Sequence, residues 1–120
     1  MAFSQCSPEG DPAVYGQNKW LGYIYADTAL LNTPPANPAT ATYRGYLSQS
    51  ACFDLDFSTG ALSGTNICGS YADNYAIRFK MQRTFTAGYY NITVGADDTY
   101  RLSLDGGATF ITGASDWTLH

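Results

Sequence analysis

Residues 75–85 read Tyr-Ala-Ile-Arg-Phe-Lys-Met-Gln-Arg-Thr-Phe. Ile77, Phe79, Met81 and Phe85 share one parity, and Arg78, Lys80, Gln82 and Thr84 share the other. Successive side chains of an extended chain point to opposite faces, so this alternation predicts a strand with one apolar and one wet face. Ala87-Gly88 marks a turn, after which Tyr90, Ile92 and Val94 alternate with Tyr89, Asn91 and Thr93. Gly95 to Thr99 is an acidic loop carrying Asp97 and Asp98. Tyr100, Leu102 and Leu104 then alternate with Arg101 and Ser103, followed by the turn signal Asp105-Gly106-Gly107 and a short apolar piece at Phe110-Ile111.

Upstream of this stretch, Lys19 to Tyr25 (KWLGYIY) is a strand candidate rich in aromatic residues. Thr33 to Pro38 (TPPANP) is a loop, since proline lacks the ladder donor that a central strand needs. Tyr43 to Leu47 and Cys52 to Phe57 are short strand candidates, and 58–69 is loop again. Residues 1–18, with Pro8, Gly10, Pro12 and Gly16, read as an irregular lead-in to one domain over 19–120. No helical periodicity of useful length occurs. Short strands separated by regular turn signals predict an all-β fold, an antiparallel β-sandwich. Its expected core gathers Ile77, Phe79, Met81, Tyr90, Ile92, Leu102 and Leu104, with Asp97 and Asp98 together in an exposed loop.

The 120 residues suffice for one domain, which at this size hides roughly two-thirds of its unfolded surface. Charged residues make up only 13% while aromatics reach 15%, and small polar residues fill the turns between apolar runs. The net charge of −4 leaves no basic patch, which argues against a nucleic-acid partner. No segment approaches the ~20 apolar residues of a membrane span. Residues 1–10 lack the basic and apolar regions of a signal peptide, so the expectation is a mature or excised domain. The single histidine, His120, leaves no positioned base for a serine or cysteine nucleophile, and a non-enzymatic role is expected.

Cys6, Cys52 and Cys68 are too far apart for zinc-ligand spacing. Each reads either as a free buried thiol or as half of a bridge. The preferred bridge is Cys52–Cys68, which flanks a Gly/Ser/Thr-rich loop of about 15 residues and would contribute about 3 kcal/mol. Cys6 is then left over, free or paired outside the chain.

The run from Phe85 to Gly106 (FTAGYYNITVGADDTYRLSLDG) resembles the PA14 domain, whose pattern there places a Gly and a Tyr before an alternating strand, then Asp-Asp, then Leu-x-x-Asp-Gly. Trp20, the Tyr43-Arg44-Gly45-Tyr46 segment and 75–85 fall where that family has its early strands. The resemblance implies a β-sandwich of bacterial secreted and surface proteins, adhesins and accessory modules. In lectin-like members the paired aspartates hold calcium, which binds vicinal sugar hydroxyls. Carried over, Asp97 and Asp98 are the calcium ligands. The chemistry is apt, because calcium takes six to eight oxygens and an ion held by few protein groups keeps positions open for a diol. The family supplies further ligands and strands downstream, so the expectation includes a sandwich incomplete at its C-terminus. Its open edge would recruit a strand from another copy or partner, with 1–10 and Cys6 as the donor.

Other readings are plainer. Asp97-Asp98 also suits the capping of a turn, Asp105 its own Asp-Gly turn, and Asp54 and Asp56 a solvated face. Trp117 is a stacking platform for a sugar ring if exposed, and core if not. Asn91-Ile92-Thr93 matches the N-glycosylation pattern but falls in the middle of a predicted strand. The expected function is a calcium-dependent, glycan-binding lectin or adhesin module, extracellular or on the cell surface. The alternative is a structural module of an extracellular filament or surface layer.

Overall fold

The computed structural model describes residues 6–26, 42–55, 61–71, 75–95, 100–111 and 115–116, the last two by their backbone. These residues contain strands and no helix. They fall into two compact units, one up to Thr84 and one from Phe85 onward.

The first unit holds four strands, β1 (Gly16–Gln17), β2 (Lys19–Ala26), β3 (Tyr43–Ser50) and β4 (Tyr75–Gln82), in the order β1-β4-β2-β3. Strand β2 is antiparallel to both β3 and β4, while β1 runs parallel to the end of β4. The sheet is therefore mixed. Covered by the Phe79 ring on one face and by the lead-in on the other, β2 buries every residue from Gly22 to Ala26, which explains a continuous apolar run where a strand covered on one face would alternate. Tyr23, Ile24, Tyr25 and Ala26, with Leu62 from the segment between β3 and β4, are the buried apolar core among the described residues.

The register sorts the sheet into two faces. On one, Gly22 lies opposite Phe79 and Ile24 opposite Ile77. The Phe79 ring occupies the space above Gly22, where an added Cβ would come within 2.6 Å of Cε1. Trp20 and Phe53 pack on the same ring at centroid distances of 6.5 and 4.8 Å, and the Trp20 indole donates to the Ala51 carbonyl. The other face carries Tyr23 and Tyr25 of β2, Tyr43 and Tyr46 of β3, and Arg78 and Lys80 of β4. The register of β2 and β3 shifts between Ile24 and Tyr25, leaving Arg44 without a cross-strand partner. Gly45 beside it has φ 128° and sits against the 66–67 backbone, an approach only glycine allows.

Three expectations change here. The lead-in is committed rather than free: Gly16–Gln17 joins the sheet, and its preceding residues lie over the tyrosine face. The Tyr43 hydroxyl donates to Glu9 O, Tyr23 to Val14 O and the Lys80 ammonium to Pro12 O. A segment containing prolines presents unpaired carbonyls, and these side-chain donors satisfy them. The wet face foreseen for β4 is thus covered at Lys80, whose ammonium also lies 5.2 Å from the Tyr15 ring centre. Second, the strand at 75–85 ends at Gln82, and residues 89–95 form no strand. Third, the expected core does not assemble. Ile77, Phe79 and Met81 are half-buried, whereas Tyr90, Ile92 and Leu104 are exposed. Alternation yields an apolar face only where a ladder holds the chain extended. Phe79 takes its cover from Trp20 and Phe53 instead.

The second unit contains a short antiparallel ladder of β5 (Tyr100–Arg101) and β6 (Ser115–Asp116). The Ile111 amide donates to Leu102 O just past β5. The Phe85 and Tyr90 rings meet edge to face at 4.8 Å.

Candidate functional site

Asp97, Asp98 and Trp117 lie outside the described residues. In the chain, β5 starts two residues after Asp98. The ladder sets Tyr100 opposite Asp116 and Arg101 opposite Ser115. A downstream acidic position is therefore returned to the strand that follows the aspartate pair, and Trp117 is the next residue in the chain. Among the described residues, no group of three histidine, cysteine or acidic side chains gathers where a metal ion could sit.

Asp105 forms the turn expected of it. Its Oδ1 accepts from the Ser103 hydroxyl at 2.7 Å and from the Thr109 amide at 2.9 Å, and its Oδ2 accepts from the Thr109 hydroxyl. These bonds, the Thr109 hydroxyl first, hold the carboxyl down at about 2. Its acceptor capacity is turned inward to the loop. Asp54 is exposed, and Asp56 lies outside the described residues. Asn91, expected within a strand, is exposed and in no strand.

The cysteine pairing differs from the expected one. Cys6 bonds Cys68, and Cys52 is free and exposed. The reason is the course of β3. Cys68 donates its amide to Arg44 O at the start of that strand, while Cys52 lies beyond its far end. Eight extended residues span roughly 26 Å, far beyond the reach of a disulfide. The lead-in, pinned to Tyr43 through Glu9, brings Cys6 to the correct end. Nothing in the spacing of the cysteines carries that information.

One feature had no signal in the sequence. Between the lead-in and β3 lies an open cleft of about 370 Å³, whose lining includes Asp11, Lys19, Tyr23, Tyr46, Ser48 and Asn66. These residues come from four separate segments, and only the fold brings them together. The floor is Tyr23, 1% exposed. Burial, then the charge of Asp11, pushes its hydroxyl above the ordinary tyrosine range.

Comparison of the chain with protein-family models, curated protein sequences and solved structures finds no match. Among the described residues no helix is long and apolar enough to cross a membrane. The Cys6–Cys68 bond suits an oxidising compartment.

Proposed function

We propose that this chain is a non-catalytic, calcium-dependent carbohydrate-binding module of a secreted or surface protein, built on a PA14-like sandwich. The observation that supports it best is the backbone pairing of Tyr100 with Asp116, which sets a downstream acidic position beside the strand that follows Asp97 and Asp98 in the sequence. Carboxylates are the hard oxygen donors that calcium prefers, and a loop supplying two or three of them leaves coordination positions for sugar hydroxyls. The disulfide fits an extracellular setting. Calcium titration by calorimetry, then a glycan array with and without chelator, tests the reading. Saturable calcium heats that vanish in Asp97→Ala and Asp98→Ala, together with chelator-sensitive glycan binding, are expected. Absence of calcium heats from the parent chain would overturn it.

The second unit favours one other reading. Phe85, Tyr89, Tyr90, Ile92, Leu104 and Phe110 are all exposed within 26 residues of sequence. Exposed apolar side chains at this density suit a surface that assembles with others, as in a structural module of an extracellular filament. Light scattering separates the two: an assembly module self-associates as concentration rises, while a lectin module need not.

A further inference from the structure

We propose that the cleft between the lead-in and β3 is a separate binding site for a neutral, polyhydroxylated ring of the hexose class, and that it needs no metal ion. Its lining includes four residues with polar side chains: Asp11, Lys19, Ser48 and Asn66. Asp11 Oδ1 accepts from the Ala13 amide at 3.0 Å, whereas its Oδ2 has no hydrogen-bond partner among the described residues. The same holds there for the Lys19 ammonium, the Ser48 hydroxyl and the Asn66 side-chain amide. The set combines a pure acceptor, a pure donor and two groups that do both. Vicinal hydroxyls, each donating and accepting, match such a set, whereas a phosphate or carboxylate would gain from Lys19 and be repelled by Asp11. The opposite charges select a neutral ligand. The half-buried Tyr46 ring, 6.5 Å by centroid from the buried Tyr23 ring beneath the cleft, supplies the apolar surface that the C–H face of a sugar ring requires.

The walls are already fixed. Val14 N bonds Asp11 O at 3.0 Å, closing the turn that orients the Asp11 carboxylate. The Tyr23 hydroxyl ties Val14 to the floor at 2.6 Å. Gly10, with φ 90°, lies so close to Tyr46 that an added Cβ would come within 2.6 Å of the ring. Tyr46 N donates to Asn66 O at 3.3 Å, holding the opposite wall. A prearranged site loses less freedom on binding. The cleft volume also falls within the ordinary range of small-ligand pockets.

This site uses neither Asp97 nor Asp98, so it stands or falls apart from the calcium-dependent reading. The test is an NMR titration of the full chain in EDTA with methyl glycosides of glucose, galactose, mannose and N-acetylglucosamine. At least one glycoside should saturate the protein, shifting the amides of Asp11, Ser48 and Asn66. Asn66→Ala and Asp11→Ala should each weaken it about tenfold or more, as expected on losing a hydrogen bond to a charged or amide group. Asp97→Ala should leave it unchanged. Circular dichroism checks that the variants fold, and Asp11→Asn replaces the alanine variant if that one does not. No saturable binding in EDTA across the panel, or binding that both cleft variants retain, would overturn the proposal. Binding seen only with calcium would count against this cleft and for the first site.

Discussion

Asp105 and Tyr43 show how single side chains here set behaviour at opposite ends of the pH scale. Protonating Asp105 breaks its accepted bonds from Thr109 and Ser103, so its folded value of about 2 lies below the ~3.9 of an unfolded aspartate. A depressed carboxylate stabilises the fold fully above about pH 4, and the contribution is lost as pH falls through 2. NMR titration should place the Asp105 midpoint near 2 and show it rising in Thr109→Ala; a midpoint near 4 in the parent would mean that the loop is not held in solution. Tyr43 is the reverse case. Burial, followed by Tyr23, Tyr25 and Tyr46 around it, pushes it up to about 12. Its contribution is complete below about pH 10 and disappears as pH rises through 12. Ultraviolet titration should therefore show a tyrosine fraction lagging the rest, reduced in Tyr43→Phe.

Among the elements, β2 bears the most. Ile24 is fully buried at its centre, and Ile24→Ala should cost about 2–5 kcal/mol in chemical denaturation. Gly22→Ala should also destabilise, because the Phe79 ring must move to admit the methyl group, and Phe79→Ala should relieve that clash in the double variant. An additive double variant would place Phe79 elsewhere. The same two strands show what the sequence makes readable. The aromatic run of β2 and the alternation of β4 were legible because each is a local pattern tied to a ladder. Residues 89–94 alternate just as cleanly, yet form no strand, since pairing depends on a partner that the pattern does not encode. Strand β1 was hidden for the opposite reason: two residues after a stretch of Pro and Gly carry no period at all. The Asp105 turn was legible from Asp-Gly-Gly alone, whereas the cleft residues, from Asp11 to Asn66, share no local signature.

At the scale of the whole chain, the Cys6–Cys68 bond links positions separated by 62 residues. Closing a loop of that size should stabilise by about 4 kcal/mol through the unfolded state. Reduction, or the paired change Cys6→Ser with Cys68→Ser, should lower the melting temperature, while Cys52→Ser should not. Thiol titration of the native chain should find one reactive group, absent from Cys52→Ser; two or more would contradict the pairing. The link also has a mechanical consequence. Force applied upstream of Cys6 passes through the sulfur atoms directly to Cys68, so the covalent chain between them is bypassed and β1 and β2 are loaded only through their ladders with β4. Stretched from its two ends, the oxidised chain should extend roughly 200 Å less than the reduced chain, the span of the 62 bypassed residues. Its length under tension is thereby a readout of its redox state.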